Sequence, residues 1–153
     1  MTTAPTNHLS SGDAGRYLKP SYVEDNSILP SAFDKRLNRE VPEEYVSFFL
    51  SAGSSEEGKF LDVLEKSQAR LTIKNSGYVC LISIEAALHL INNGKKLIWF
   101  SDEKLPHIGL WFADDASDQE ILETKTLLSW LASQRFQPIS QIRKSLTVNY
   151  LGL

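Results

Sequence analysis

The stretch Leu97–Phe112, LIWFSDEKLPHIGLWF, decides the fold. Two runs of bulky apolar residues, Leu97–Phe100 and Ile108–Phe112, flank a polar connection at Ser101–His107. Apolar runs of this length, bounded by turn residues, are typical of strands with both faces covered. Pro106 cannot donate to a sheet ladder and therefore suits the start of the second strand. The stretch predicts a β-hairpin that carries two of the three tryptophans, and the alternative is one strand followed by a loop.

Strand and helix patterns alternate on both sides of this hairpin. Apolar runs predict strands over 45–50 and 78–83, and an alternating pattern predicts a last strand over 146–150. Capping-box pairs, Ser54 with Glu57 and Ser117 with Glu120, predict helices that run to about residues 70 and 136. A short helix over 84–92 follows the second strand, and 71–73 suits a short strand. The chain is therefore predicted to be an α+β domain with a mixed, mainly antiparallel sheet of four to six strands and two to three packed helices.

The composition is that of one globular domain. The chain has 153 residues, of which 42% are hydrophobic and 23% charged, enough to bury a core without disulfides or metal. Residues 1–15 are polar and predict a flexible tail, which leaves 16–153 as the domain. The net charge of -3 argues against nucleic acid as a partner. No apolar run is long enough to span a membrane, and no signal peptide is visible, which predicts a cytoplasmic protein.

His107 is the titratable residue with the strongest catalytic potential. It ends the polar connection of the hairpin, which also contains Asp102 and Glu103. A histidine oriented by a carboxylate acts as a general acid or base when a substrate group lies within hydrogen-bond reach. A structural histidine at a turn is the simpler interpretation.

A repeated Pro-Ser pattern lies near the start of the domain. The segment Lys19-Pro20-Ser21-Tyr22 has a similar counterpart ten residues later, Leu29-Pro30-Ser31-Ala32-Phe33. Each proline suits the first position of a short helical turn. One interpretation is an exposed segment that binds a partner; the other is an arm whose apolar side chains cover the core. The partner-binding candidates are Pro20, Ser21, Tyr22, Pro30, Ser31 and Phe33.

Nothing in the sequence predicts a metal or cofactor. Glu85 and His89 share a helix face but lack a third ligand. The acidic group at 114–120 lacks the spacing and glycine of a calcium loop. Phosphate-binding glycine loops and zinc-protease motifs do not occur. Cys80, the single cysteine, lies in an apolar strand and is predicted to be buried.

The Pro-Ser segment and the later Pro106-His107-Ile108-Gly109 resemble a group of small bacterial proteins that have no established activity. The resemblance covers about residues 16–112. It implies a setting beside mobile-element or defence genes, and hence a partner protein, but it carries over no catalytic residue.

These observations predict an accessory or binding module that acts through a protein partner or as a homo-oligomer. The apolar end Leu151-Gly152-Leu153 suits pairing in the sheet or an interface. The alternative is a small hydrolase or transferase that uses His107 as general acid or base.

Overall fold

A computed structural model describes residues 7–37 and 40–150, with side chains up to residue 145. The described residues form nine strands and four helices. In chain order these are β1 His8–Leu9, β2 Asp13–Leu18, β3 Val23–Glu24, β4 Ser27–Ile28, β5 Val46–Leu50, α1 Glu56–Gln68, β6 Tyr78–Ser83, α2 Ile84–Ile91, β7 Ile98–Asp102, β8 His107–Phe112, α3 Asp118–Ser133, β9 Phe136–Pro138 and α4 Ile139–Tyr150.

Seven strands form one sheet in the order β1-β7-β8-β5-β2-β6-β9, and β3 pairs with β4 in a small hairpin. Every neighbouring pair is antiparallel. The α+β class and the mainly antiparallel sheet are therefore confirmed. The sheet has more strands than the expected four to six because β1 and β9 are too short to give a sequence pattern.

Strands β7 and β8 form the hairpin predicted over 97–112. Their register runs from Ile98 opposite Phe112 to Asp102 opposite Ile108. Beyond β7 the edge of the sheet is covered partly by β1, which pairs with Phe100 and Ser101. The Asn92 side chain covers the next positions, since it donates to the Ile98 carbonyl and accepts from the backbone N–H groups of Leu97 and Ile98. The Asn92 side chain thus takes the place of a strand at this edge, where backbone N–H and C=O groups would otherwise lack hydrogen-bond partners.

Helices cover both faces of the sheet. Side chains alternate along β6: Cys80 and Ile82 belong to the core under α2 and α3, whereas Val79 and Leu81 belong to the core under α1 and α4. The first core is completed by the aromatic side chains of Phe33, Phe48 and Phe100. No described helix is long and apolar enough to cross a bilayer.

Serine side chains begin three of the helices. Ser117 forms the predicted capping box with Glu120, and Ser83 caps α2. The cap of α1 is Ser55, one residue later than predicted, because its hydroxyl accepts from the N–H of Gly58. These caps explain why short-range sequence signals located the helix starts well.

The Pro-Ser segment forms an arm packed on the first core. Pro20–Tyr22 and Pro30–Phe33 are single 3-10 turns that each begin at proline, as the sequence predicts. The small hairpin β3–β4 lies between them and is fixed to α3. The hydroxyl of Ser133 accepts from the Ile28 N–H, and Ser129 donates to the Ile28 carbonyl. The arm covers one end of the core, as the second interpretation predicted.

Three expectations are wrong in the described residues. Residues 7–15 contain β1 and the start of β2, so they are not a tail, although residues 1–6 lie outside the described part. Residues 71–73 form no strand, and 146–150 continue α4. The alternation at 146–150 spans five residues, and the packing of Ile139 and Ile142 against α1 outweighs it. The end at 151–153 lies outside the described residues.

Helix α1 touches the backbone of β2 at Gly15. A Cβ at this position would lie 2.2 Å from Cγ2 of Val63, which is fully buried. We therefore expect Gly15→Ala to lower the free energy of unfolding by about 1–3 kcal/mol, since the core must shift to admit one methyl group.

Chemical denaturation of Gly15→Ala, Val63→Ala and the double variant checks this contact. Removal of the Val63 branches relieves the overlap, so the double variant should cost less than the sum of the single variants. Strict additivity would show that α1 does not press on Gly15.

An ion-pair cluster joins β2, α1 and the segment between α3 and β9. Arg135 donates two bonds of 2.7 Å to the carboxylate of Glu56 and one of 2.7 Å to Asp13, and Lys59 lies 2.8 Å from Asp13. Burial alone would raise the pKa of Asp13, but the bonds from Arg135 and Lys59 outweigh it and the pKa is lowered. The bond from Arg135 likewise lowers the pKa of Glu56.

These lowered pKa values make the cluster acid-sensitive. A carboxyl group with a lowered folded pKa stabilises the fold above its unfolded pKa, and this contribution is lost as the pH falls through the folded value. Arg135→Gln should cost about 1–2 kcal/mol at pH 7 and progressively less below about pH 4. Urea unfolding at pH 7 and pH 3 measures the difference, and an equal cost at both pH values would contradict the role of the two carboxylates.

Candidate functional site

Strands β2 and β5 part soon after they meet. Only two residue pairs join them: Ala14 lies opposite Leu50, and Gly15 lies opposite Phe49. Strand β2 nevertheless continues to Leu18 alongside β6, and β5 begins at Val46 alongside β8. The two strands therefore diverge inside the sheet, and the backbone groups between them need other partners.

The Arg16 side chain fills the gap between the parted strands. Its Nε donates to the Ala32 carbonyl at 3.1 Å and its Nη1 to the Ser47 carbonyl at 2.6 Å. The guanidinium also lies over the Phe48 ring, 5.8 Å from the centroid. Arg16 is 7% exposed, so a nearly buried cation closes the sheet where a backbone ladder would otherwise run.

Both acceptors of Arg16 are neutral carbonyl oxygens. Among the described residues, no carboxylate pairs with Arg16 and no partner is found for its Nη2. Burial lowers the pKa of Arg16, and the nearby charge of Arg36 lowers it further. An arginine remains protonated at neutral pH even so. Arg16 therefore brings into the interior a positive charge that bonds to no carboxylate among the described residues. The charge of Glu43, in the lining of the adjoining cavity, partly offsets the lowering of the Arg16 pKa.

A cavity of about 220 Å³ opens beside Arg16, between the parted strands. Three arginines line it together: Arg16 from β2, Arg36 from the loop before β5, and Arg70 from the turn after α1. Glu43 is the one carboxylate among the described residues of the lining, and its Oε1 accepts the Arg36 backbone N–H at 2.7 Å. The remaining lining residues are Tyr17, Ser47, Phe49 and Leu71. We call this cavity the arginine pocket.

His107 lies next to the arginine pocket. Its ring is 4.9 Å from the ring of Phe49, and the two residues are paired across β5 and β8. Partial burial lowers the pKa of His107, and the charges of Arg70 and Lys104 lower it further. The imidazole is therefore neutral at pH 7, in a positive local field.

The carboxylates predicted to orient His107 have other partners. Asp102 Oδ1 accepts the backbone N–H groups of Lys104 and Leu105 and so closes the hairpin turn. Glu103 Oε2 accepts from Ser101 Oγ and from Trp111 Nε1. Neither carboxylate bonds to His107 in this structure. The catalytic role of the three residues stays a prediction.

The partner-binding candidates of the Pro-Ser arm are divided between surface and core. Ser21 and Ser31 are exposed, whereas Pro20, Tyr22 and Pro30 are half-buried. Phe33 is fully buried and stacks on Phe48, 6.2 Å between centroids, so it presents no surface to a partner. The carbonyl of Ala32, in the same arm, is an acceptor of Arg16. The arm thus helps to build the arginine pocket.

Sequence reasoning missed the arginine pocket because its residues are far apart in the chain. Arg16 stands at the boundary of the expected tail, and Arg36 and Arg70 are isolated charges. One signal was present: an arginine follows alanine and glycine and precedes tyrosine and leucine, so it sits in an otherwise apolar strand.

Two further groups lack the arrangement for chemistry. Burial raises the pKa of the Cys80 thiol to about 12, which makes it a poor nucleophile, in line with its predicted burial. No group of three or more His, Cys, Asp or Glu side chains suitable for a metal ion occurs in the described part of the chain.

Comparisons of the chain with protein-family models, curated proteins and solved structures gave no match. The function must therefore be inferred from the geometry of the chain itself.

The bonds of Arg16 give a stability prediction. Arg16→Met keeps most of the side-chain volume but leaves the carbonyls of Ala32 and Ser47 without their donor, so we expect a loss of about 2–4 kcal/mol. Arg16→Lys keeps the charge but not the forked geometry, so its free energy of unfolding should lie between those of the native chain and of Arg16→Met. Denaturant unfolding checks this order, and a more stable Arg16→Met would show that desolvation of the guanidinium outweighs its bonds.

Proposed function

We propose that this protein is a binding module that recognises an anionic group on a protein partner through the arginine pocket, in the bacterial cytoplasm. The observation that carries the proposal is Arg16, a nearly buried cation that lines a cavity and has no carboxylate partner among the described residues. Buried charges are normally paired, so an unpaired one beside a cavity indicates an anion supplied from outside.

The charge of the pocket differs from that of the whole chain. The lining carries three arginines and one glutamate, whereas the chain has a net charge of -3. Clusters of arginine are the usual means of binding acidic and phosphorylated motifs. A local positive pocket on an acidic protein also favours a compact anionic ligand over nucleic acid, which requires an extended basic surface.

The size of the pocket supports a partner rather than a free metabolite. Its volume of about 220 Å³ is below the roughly 300–1,000 Å³ typical of sites that enclose a drug-sized ligand. A cavity of this size accommodates one side chain or one terminal group. The rest of the ligand then lies outside, on the surface of the module.

The alternative function, a small hydrolase or transferase, has weaker support. His107 lies beside the pocket and is neutral, as a general base requires. The residues predicted to orient it bond elsewhere, and among the described residues no base bonds to the hydroxyl of Ser47 in the pocket lining. A binding role needs none of these missing contacts.

The proposal predicts specific binding of small anions. Glutarate and inorganic phosphate are suitable probes, and NMR titration of the native chain should perturb the signals of Ser47, Phe49 and Arg70. Arg70→Gln removes an exposed charge of the lining and should weaken binding about three- to tenfold, and 0.5 M salt should weaken it further.

Lys144→Gln is the matched control, because it removes one exposed positive charge from α4, which does not line the pocket. It should leave both affinities unchanged. If neither probe shifts signals at the pocket, or if the control weakens binding as much as Arg70→Gln, the proposed function is wrong.

A further inference from the structure

We propose that the anionic group that enters the arginine pocket is a phosphate monoester carried on an organic stem. The inference rests on the proposed function and names its ligand class. Three features of the pocket support it: the charge of the lining, the directions from which the arginines approach, and the apolar part of the wall.

The charge of the lining matches a dianion. Among the described residues of the lining, three guanidinium groups and one carboxylate leave two positive charges. A phosphate monoester carries about -1.5 to -2 charges at pH 7, whereas a carboxylate carries one. Only the phosphate compensates the remaining charge of the lining in full, including that of Arg16, which bonds to no carboxylate among the described residues.

The arginines come from three separate segments. Arg16 extends from β2, Arg36 from the loop that Glu43 closes, and Arg70 from the turn after α1. A carboxylate is planar and is satisfied by one forked arginine. A phosphate group presents three oxygens in different directions, and arginines that converge from three segments suit that shape. The Ser47 hydroxyl is a further possible donor in the same lining.

Apolar side chains complete the wall. Phe49, Leu71 and the ring of Tyr17 line the cavity beside the arginines. A free phosphate ion makes no use of them, but the organic part of an ester packs against them. Phe49 also contacts His107, so the neutral imidazole lies close to the bound group and reports on its charge.

The decisive experiment compares phenyl phosphate with phenyl sulfate on the native chain by NMR titration or calorimetry. The two esters share a tetrahedral group and a stem, but the sulfate is a monoanion at every pH used. We expect phenyl phosphate to bind at least about tenfold more tightly at pH 7.5. Equal affinities would overturn the proposal.

The pH dependence of this ratio separates charge from shape. Phosphate loses its second charge below its pKa of about 6, so the ratio should fall towards one at pH 5.5. His107, Glu43 and Tyr17 are the titratable groups at the pocket and its rim, with Arg16, Arg36, Arg70 and Lys104 as the fixed charges. Protonation of His107 adds a positive charge that favours the phosphate at least as much as the sulfate, so it cannot cause the fall of the ratio. A ratio that does not change between pH 7.5 and pH 5.5 in His107→Gln would contradict recognition of a dianion.

His107 supplies a readout that needs no variant. The charge of Arg70 helps to lower the pKa of His107 in the free protein. A bound dianion compensates that charge, so the pKa of His107, followed by NMR, should rise on saturation with phenyl phosphate. His89, exposed on α2 and outside the pocket lining, is the internal control, and its NMR signals should be the same with and without ligand. An unchanged His107 would place the ligand elsewhere and overturn the proposal.

Further ligands identify the organic stem and show which of the two proposals a negative result contradicts. N-acetyl phosphotyrosine amide and N-acetyl phosphoserine amide represent a protein source, and adenosine monophosphate a free metabolite. Tighter binding of either amino-acid ester supports the phosphorylated partner, and tighter binding of the nucleotide overturns that source. If inorganic phosphate equals the esters, the stem is wrong. If glutarate equals phenyl phosphate, the ligand class is wrong while the proposed function stands; if no anion binds, both are wrong.

Discussion

The structure depends on the joint between β2 and β5. Four strands, β1-β7-β8-β5, lie on one side of it and three, β2-β6-β9, on the other. Within the sheet, the two groups are joined by two residue pairs, by the bond from the Ser51 N–H to the Asp13 carbonyl, and by the guanidinium of Arg16, which bonds to the carbonyl of Ser47 across the gap. A single side chain thus performs at the centre of the sheet what several backbone hydrogen bonds perform elsewhere.

A charged residue at this joint creates an electrostatic imbalance. Carbonyl oxygens accept the hydrogen bonds from Nε and Nη1 of Arg16 but do not neutralise its charge. The desolvation cost of a buried ion is several kcal/mol unless an opposite charge lies nearby. The fold tolerates this cost because the adjoining cavity is open to water and to ligands. The same residue that closes the sheet therefore makes the gap beside it attractive to anions.

Local signals in the sequence predicted most of the fold. The apolar runs on either side of Ser101–His107 gave the β7–β8 hairpin, and Ser83 and Ser117 gave the starts of α2 and α3, since strand patterns and caps act over a few residues. The N-terminal strands were missed because β1 has two residues and Asp13–Gly15 has little apolar surface. Helix α4 was missed because its contacts with α1 are not encoded near 146–150.

The candidate site was harder to predict than the fold. Three features of the tertiary structure place the arginines around one cavity: β2 pairs with β6, the arm packs on α3, and α1 ends at Gln68. The positions of Arg16, Arg36 and Arg70 in the sequence follow no pattern that predicts these contacts. His107, by contrast, stood out in the sequence, and the structure places it at the rim of the pocket beside Phe49.

The neighbouring residues Gly15 and Arg16 impose opposite demands on one strand. A side chain at position 15 would displace Val63, whereas position 16 holds a long forked donor that reaches Ala32 and Ser47. Each residue is therefore costly to replace: alanine at position 15 displaces Val63, and lysine at position 16 keeps the charge but loses the fork. The joint is therefore specified by two adjacent residues with opposite steric requirements, the smallest side chain of the chain followed by one of its longest.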